Sequence, residues 1–266
     1  STDGLNFTDI GATNETYDSP PLNFDTWFRR AVTSTIGLNA CTEYTGMVKV
    51  TVINFAPGSI GSSQTICEGA TPAAFTSVAA SGDGTKSYQW QFSTDSINYN
   101  NVPAGGLNAT YSEGPLIQDT WFRRLSSATI GSVKCTEITD TIKVTVINFD
   151  PGTISGAQTI CENDTPAAFT SPADALGDGM ITYQWQASLD GTSFTNITGA
   201  TLNVYAHGSM TTDTWFRRQA TSTLNGFQCT EYTDAILVTV NNMTPGSILG
   251  TQTICEDSTP AAFTSV

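Results

Sequence analysis

A tandem repeat with a period of 94 residues constrains the fold of this chain more than any other feature. The hexapeptide DTWFRR occurs three times, at residues 25–30, 119–124 and 213–218, and TPAAFTS begins at residues 71, 165 and 259. A solenoid unit is only about 20–50 residues long. The longer period is that of one small domain with its own core, so the sequence predicts a row of similar domains.

The repeat divides the chain into two complete units and two partial ones. The complete units are residues 57–150 and 151–244, residues 1–56 match the C-terminal part of a unit, and residues 245–266 match only its start. The two partial pieces together still lack a counterpart of SYQWQF. We therefore expect the chain to be a window from a longer array. No apolar run reaches the roughly 18 residues of a membrane span, so no membrane insertion is predicted.

The composition indicates an acidic β-protein. The net charge is −14, with a pI near 4.1, which argues against nucleic-acid binding because that function needs a basic surface. Only 13% of the residues are charged, and the abundance of Thr and Val is typical of strands.

Short strands account for most of one repeat. MVKVTVINF alternates Val48, Val50 and Val52 with Lys49 and Thr51, which is the pattern of a half-buried strand. Seven strands are predicted, at A 59–66, B 73–79, C 87–93, C′ 97–102, E 109–113, F 120–127 and G 142–149. Seven short strands with a Trp on strand C indicate an immunoglobulin-like sandwich. The predicted fold is thus all-β, with immunoglobulin-like β-sandwich repeats stacked end to end as a rod.

DTWFRR begins strand F, where alternation places Trp121 and Arg123 on one face and Phe122 and Arg124 on the other. One aromatic residue is expected in the core near Trp90, and one Arg is expected to stack on an aromatic ring or to pair with a carboxylate. We interpret the hexapeptide as a structural fastening, with a basic ligand-binding site as the alternative. The predicted structural cluster comprises Trp90, Trp121, Arg123, Arg124, Trp185, Trp215, Arg217 and Arg218. Because its four tryptophans recur at matching places in the repeats, they are expected at core-like positions.

The cysteines recur at fixed positions, which favours disulfides and an oxidising compartment. They are Cys41, Cys67, Cys135, Cys161, Cys229 and Cys255. Strand order favours a bridge between neighbouring repeats, Cys67 with Cys229, with the other four cysteines paired outside the window. The rival arrangement bridges each repeat internally, Cys67 with Cys135 and Cys161 with Cys229. Each repeat carries its own pair, so this alternative stays open.

The sequence contains no recognisable catalytic motif, so no enzymatic activity, catalytic residue or cofactor is predicted. The lone histidine, His207, occurs in one repeat only, and no zinc-ligand spacing is present. Asp-containing loops such as SGDGTK are candidates for Ca²⁺, but they lack the D-x-D-x-D-G ligand pattern and are better read as turns.

The segments GTISGAQTICENDTPAAFTS, YQWQ, DTWFRR and TDTIKVTVIN resemble the immunoglobulin-like repeats of giant cell-surface proteins of Bacteroidota, which are exported by type IX secretion. The nearest functional type is the SprB-like adhesin of gliding motility. This resemblance implies extracellular display on the cell surface, an extended stalk, and adhesion or motility. The implied partners are neighbouring repeats of the same chain, the gliding or secretion machinery, and an external surface or polysaccharide bound by other parts of the protein.

Two functional classes follow for this chain. The first is a structural stalk, and the second is an array that itself binds carbohydrate or another ligand through exposed aromatic residues; spacer repeats of a secreted enzyme are a further possibility. The short linkers NFAPGSI and NFDPGTI contain Pro, which restricts the backbone. We therefore expect stiff junctions, with each repeat adding roughly 35–45 Å of length.

Overall fold

The computed structural model describes all residues, 1–266, and consists of strands and loops without a helix. It therefore contains no helix with the length and apolarity of a membrane span. The chain forms two compact units, Ser1–Gln64 with Gly69–Val146, and Thr65–Glu68 with Ile147–Val266.

The strands follow the repeat. The first partial repeat contains β1 (Thr26–Phe28), β2 (Ala31–Ile36), β3 (Asn39–Tyr44) and β4 (Val48–Val50). The first complete repeat contains β5 (Phe55–Ala56), β6 (Ser59–Gly61), β7 (Gln64–Cys67), β8 (Thr76–Val78), β9 (Ser81–Gly82), β10 (Thr85–Ser93), β11 (Asn100–Asn101), β12 (Thr120–Ile130), β13 (Val133–Ile138) and β14 (Ile142–Ile147). The second complete repeat contains β15 (Phe149–Asp150), β16 (Thr153–Ser155), β17 (Gln158–Cys161), β18 (Thr170–Ala173), β19 (Leu176–Gly177), β20 (Met180–Ser188), β21 (Thr195–Asn196), β22 (Thr214–Leu224), β23 (Phe227–Tyr232) and β24 (Ile236–Asn241). The final segment contains β25 (Ile248–Leu249) and β26 (Thr264–Ser265).

Each complete repeat is built on one six-stranded sheet. In the first, the order is β11-β10-β12-β14-β7, with β13 also paired to β12, and in the second it is β21-β20-β22-β24-β17, with β23 paired to β22. The short pairs β6–β8 and β16–β18 form separate two-stranded sheets. This arrangement confirms the predicted all-β fold of immunoglobulin-like repeats.

The strand that carries DTWFRR organises the sheet because it changes partner along its length. The first three residues of β12 pair with β14, and Leu125–Ile130 pair with β13 in a hairpin. Nearly the whole strand, Trp121–Thr129, pairs with β10 on its other side. The F–G connection is therefore a hairpin rather than an open loop.

Alternation along β12 decides which side chains enter the core. Phe122 is fully buried and its ring centroid lies 4.9 Å from that of Phe75. Trp90 on β10 is also fully buried, and its indole N–H donates to the carbonyl oxygen of Asn108 at 3.0 Å. The second repeat repeats this core, with Phe216 at 4.8 Å from Phe169 beside Trp185.

Four strand predictions require correction. Strand A divides into β6 and β7, because Ser62 between them has φ of 77°. Strand B shortens to Thr76–Val78, and strand C′, predicted at 97–102, shortens to Asn100–Asn101. The predicted strand E at 109–113 is absent from the first complete repeat, and its counterpart makes only an isolated bridge from Tyr205 to Phe169. The carbonyl oxygen of Ala109 accepts side-chain hydrogen bonds instead of joining a ladder.

The segments that enter each complete repeat are held by reciprocal hydrogen bonds. The backbone N–H of Asn54 donates to the carboxylate of Asp83 at 3.0 Å, and the backbone N–H of Asp83 donates to the carbonyl oxygen of Asn54 at 2.8 Å. Asn148 and Asp178 make the same two bonds, at 3.1 and 3.0 Å. The linker therefore has fewer accessible conformations than a free loop of equal length.

Replacement of Phe216 by Ala tests this core. The side chain is fully buried, so the substitution is expected to destabilise the second repeat by about 3–5 kcal/mol. Thr221→Ala, which removes only an exposed hydrogen bond to Thr230, is the control and should cost less than about 1 kcal/mol. Thermal and urea unfolding measure both, and equal effects would contradict the assigned face.

Candidate functional site

Each complete repeat buries one arginine completely. Arg124 on β12 and Arg218 on β22 are both 0% exposed. The two ion pairs of the chain join Lys49 to Asp25 and Lys143 to Asp119, so neither buried guanidinium has a carboxylate partner within salt-bridge distance. A buried charge of this kind must be compensated by hydrogen bonds.

Backbone carbonyl groups and hydroxyls supply that compensation. Arg124 donates to the oxygens of Ala109 (2.6 Å), Val78 (2.8 Å) and Pro57 (2.9 Å) and to the hydroxyls of Ser126 (3.3 Å) and Ser77. A guanidinium has five N–H donors, and each of them has an acceptor here. Apart from Ser126 on β12 itself, the acceptors belong to three separate segments, so one side chain connects the start of the repeat, strand β8 and the loop at Ala109 to β12.

Arg218 makes the same contacts with one difference. Its acceptors are the hydroxyl of Ser171 (2.6 Å) and the carbonyl oxygens of Asn203 (2.9 Å), Pro151 (2.9 Å) and Ala173 (3.4 Å). Its Nε atom is buried without a hydrogen-bond partner. Ala220 stands where the first repeat has Ser126, which explains the missing acceptor.

Aromatic rings complete the surroundings of both guanidinium groups. The Cζ atom of Arg124 lies 4.8 Å from the ring centroid of Tyr88, and that of Arg218 lies 4.5 Å from the ring of Tyr183. Desolvation by burial lowers the pKa of both arginines. The pKa of a free Arg is so high that both groups keep their charge at neutral pH.

The Pro-Gly motif at the start of each repeat belongs to this arginine site. Pro57 provides the carbonyl that Arg124 binds, and Gly58 follows with φ of 74°. A Cβ atom on Gly58 would lie 2.1 Å from the carbonyl oxygen of Val78. The chain therefore needs glycine at this point, both for the backbone angle and for the close approach.

The other arginine of DTWFRR lies on the outer face of the sheet. Arg123 has its Cζ atom 3.8 Å from the ring centroid of Tyr99 and donates to Gln91 at 2.9 Å. Arg217 lies between two rings, those of Phe194 and Tyr232, at 4.1 Å from each. Of the two expected roles for an Arg, ring stacking is found at this position, whereas pairing with a carboxylate is found at neither.

The tryptophans of DTWFRR occupy a different place from the one inferred for them. Trp121 and Trp215 were expected at core-like positions, but both are half-buried on the outer face because they alternate with Phe122 and Phe216. The ammonium group of Lys143 lies 4.9 Å from the Trp121 ring centroid. The predicted cluster omitted the core phenylalanines, although all of them lie in the two repeated motifs, TPAAFTS and DTWFRR.

One disulfide joins consecutive repeats of the sequence. Cys67 is bonded to Cys229, with their Cα atoms 5.6 Å apart and a sequence separation of 162. This is the inter-repeat arrangement, and the rival pairs within a repeat are not formed. The remaining cysteines are free in this chain, namely Cys41, Cys135, Cys161 and Cys255. Their pairing with cysteines of further repeats stays a prediction.

The Asp-containing loops form hydrogen-bonded turns. The carboxylate of Asp95 accepts from the backbone N–H groups of Ile97 (2.8 Å) and Asn98 (2.7 Å), and these bonds hold its pKa well below the usual range. Asp190 makes the equivalent bonds to Thr192 and Ser193. No group of three or more His, Cys, Asp or Glu side chains in the chain is arranged to hold a metal ion.

The lone histidine and one surface depression are the remaining candidates. His207 is half-exposed, with Nδ1 at 3.0 Å from the carbonyl oxygen of Gly208. A surface depression of about 370 Å³ is lined by Ala104, Gly105, Asn108, Thr110, Tyr111 and Ser112. Burial and a hydrogen bond to Glu113 raise the pKa of the Tyr111 hydroxyl, so this group is a poor base at neutral pH.

Reciprocal substitutions test the arginine site. Ser126→Ala removes the acceptor of Arg124 Nε and is expected to destabilise the first complete repeat by about 1–3 kcal/mol, the cost of an unsatisfied buried donor. Ala220→Ser restores the acceptor beside Arg218 and is expected to stabilise the second repeat by about 1 kcal/mol. Chemical denaturation of the two variants measures both changes, and changes of the same sign would contradict the assignment.

A family model matches most of the chain. It is described as a domain of unknown function, DUF8696, and it matches residues 1–54, 56–148 and 150–242. No curated protein matches the chain significantly.

Solved structures with a similar fold are distant in sequence. The three N-terminal domains of the bacteriophage RB49 highly immunogenic outer capsid protein Hoc are 9% identical, with a TM-score of 0.39 over 86% of this chain and 92% of that one. Titin domains A168–A170 are 12% identical with a TM-score of 0.32, over 82% and 76% of the two chains. Immunoglobulin domains 1–4 of Sidekick-1 are 13% identical with a TM-score of 0.31, over 80% and 57%. These TM-scores carry no argument about function. The chain therefore belongs to the DUF8696 family, whose domain it contains three times in succession.

Proposed function

We propose that this chain is a stalk segment of a very large secreted cell-surface adhesin that serves gliding motility or surface attachment. The observation that carries the proposal is the covalent bond between consecutive repeats, Cys67 to Cys229. A stalk must transmit force without unravelling, and a bridge that spans one repeat boundary limits how far the chain can extend. A disulfide also fits an extracellular, oxidising setting.

The buried arginine supports the same role inside each repeat. Arg124 binds the carbonyl oxygen of Pro57 at the point where the chain enters the repeat. Tension applied through the linker therefore acts on a buried, charge-assisted hydrogen bond before it reaches the core. Such bonds are about twice as strong as bonds between neutral groups.

The aromatic residues on the outer face favour a stalk over a carbohydrate-binding array. A sugar-binding platform needs a free ring face, but Arg123 covers one face of Tyr99 and Lys143 lies over Trp121. The same pattern recurs at Arg217, which lies against two rings. These rings are thus engaged with cations of the chain itself.

Single-molecule stretching of the chain tests the mechanical role. With the Cys67–Cys229 bridge intact, the 162 residues of sequence separation are shielded from extension. Reduction should therefore lengthen the fully unfolded chain by about 530–580 Å, at 3.3–3.6 Å per residue. Cys67→Ser should show the longer extension without reductant. An extension of the parent chain that does not depend on reductant would contradict a bridge that limits extension under force.

Two further measurements separate the functional classes. A glycan array probed with the oxidised chain is expected to show no specific binding, and a specific hit lost in Trp121→Ala would favour the carbohydrate-binding alternative. In the complete adhesin, in-frame deletion of residues 57–244 is expected to shorten the stalk and reduce cell attachment while leaving ligand binding by the isolated protein unchanged. Loss of ligand binding in that deletion would contradict a stalk role.

A further inference from the structure

A lysine, an aspartate and a tryptophan form one group on the outer face of the first complete repeat. Strand pairing places Trp121 on β12 opposite Lys143 on β14, and the side chains of such opposed residues are neighbours. The ammonium nitrogen of Lys143 lies 2.6 Å from Oδ2 of Asp119 and 4.9 Å from the ring centroid of Trp121. The cation is therefore held by a carboxylate and an aromatic ring together.

The same group recurs 94 residues earlier in the chain. The ammonium nitrogen of Lys49 lies 2.6 Å from Oδ2 of Asp25 and 4.8 Å from the ring centroid of Trp27. In both copies Oδ1 of the aspartate accepts a backbone N–H, at 2.9 and 2.8 Å, so Oδ2 is the atom that binds the ammonium. Two copies thus define the geometry of an ammonium site.

The second complete repeat keeps the aspartate and the tryptophan but replaces the lysine. Leu237 stands opposite Trp215, at the position that Lys143 has in the first complete repeat. Oδ1 of Asp213 accepts the backbone N–H of Val240 at 2.7 Å, as in the other copies. Leucine has no hydrogen-bond donor, and neither ion pair of the chain includes Asp213. This repeat therefore presents the carboxylate and the ring without a cation of its own.

Both groups are held where a ligand can reach them. A Cβ atom on Gly191 would lie 3.1 Å from the indole Nε1 of Trp215, so the loop backbone packs closely against the ring. Asp213 is exposed. In the first complete repeat, the side chains of Lys143 and Asp119 remain 38% and 36% exposed. An ammonium group can therefore enter the equivalent place in the second repeat from solvent.

We propose that Asp213 and Trp215 bind the ammonium group of a lysine side chain from a partner protein. The carboxylate accepts a charge-assisted hydrogen bond, and the face of a tryptophan ring attracts a cation. Both copies that bind a cation of the chain itself use a lysine, which identifies the ligand as a primary ammonium group. The net charge of −14 favours the approach of a cationic partner. This site does not depend on the stalk role.

A single lysine is expected to bind weakly. Ion pairs and cation–π contacts at exposed sites each contribute little, so the dissociation constant of an isolated amine is expected in the millimolar range or above. In a partner protein, this contact adds to those around it and selects for a lysine at one position. High salt should weaken the contact, because mobile ions screen exposed charges.

NMR titration of the full ¹⁵N-labelled chain tests the proposal. The probe is lysine blocked at both ends, Nα-acetyl-lysine methylamide, whose side-chain ammonium is its only charge. The five tryptophans give five indole N–H signals, and we expect the Trp215 signal to move as the probe is added. Trp121, which already has Lys143 beside it, is the internal control. Nα-acetyl-norleucine methylamide, which lacks the ammonium, should leave all five signals in place.

Two substitutions in the second complete repeat should remove the site. Leu237→Lys supplies an internal ammonium group to Asp213 and is expected to abolish the response of Trp215 to the probe. Asp213→Asn keeps the shape of the side chain but removes its charge, and it is expected to weaken binding about threefold or more.

The reciprocal substitution in the first complete repeat should create a second site. Lys143→Leu removes the internal ammonium group, so the Trp121 signal is expected to respond to the probe as the Trp215 signal does in the parent chain. The indole signals of Trp90 and Trp185, which are fully buried, should keep their positions in every variant and so report that the core is intact.

Four results would overturn the proposal. They are a Trp215 signal that does not respond to the blocked lysine, an equal response to the norleucine compound, a response that persists in Leu237→Lys, and a Trp121 signal that stays unresponsive in Lys143→Leu. None of them bears on the disulfide or on the extension of the chain under force, so failure of this site and failure of the stalk role are distinguishable.

Discussion

The burial of one arginine without a carboxylate partner is the constraint on which the rest of each repeat depends. Removing a charged group from water is costly, and the cost is met only when its donors are satisfied. Arg124 meets this condition through three backbone carbonyl groups and two hydroxyls from separate parts of the repeat. These segments must therefore all be in place before the guanidinium is fully hydrogen-bonded, so the site couples the folding of distant parts of the repeat.

This constraint explains why distant motifs recur together with a 94-residue period. DTWFRR supplies the arginine and the core phenylalanine, the Pro-Gly motif supplies an acceptor and a close backbone approach, and TPAAFTS supplies a hydroxyl and a second core ring. Arg30, the counterpart in the N-terminal partial repeat, is exposed. The partial repeat lacks the Pro-Gly and TPAAFTS segments that surround the buried arginine elsewhere.

In one turn, the two complete repeats use different side chains as the donor to the backbone carbonyl oxygens. Lys86 donates to the carbonyl oxygens of Gly82, Asp83 and Gly84 in one turn. The second repeat has Ile181 at that place, and Ser222, which replaces Ala128 on the paired strand, donates to the carbonyl oxygen of Asp178 instead. The repeats also differ at Ser126 and Ala220, but there no other side chain takes over the lost hydrogen bond, so the Nε atom of Arg218 has no acceptor.

Much of this fold could be predicted from the sequence, and the features that could not be predicted have one physical cause in common. Alternation correctly placed Phe122 with Arg124 on one face and Trp121 with Arg123 on the other, because side-chain direction follows strand periodicity, but it did not show which face is the core. The repeat also showed that the cysteines fall into two sets, one in the motif TICE and one in the motif CTE. The absent strand E and the carbonyl acceptors of Arg124 could not be predicted, because every residue has a carbonyl group and only the three-dimensional structure shows which ones turn inward.

The neighbouring arginines of DTWFRR allow the most direct test of the account. Arg218→Lys and Arg217→Lys are the same substitution on adjacent residues, one fully buried and one on the outer face. A lysine has three donors at a single point and cannot reach acceptors arranged around a planar guanidinium. We expect Arg218→Lys to lower the free energy of unfolding of its repeat by about 3 kcal/mol or more and Arg217→Lys to lower it by less than about 1 kcal/mol. Equal losses for the two variants would contradict the buried guanidinium as the interaction that holds each repeat together.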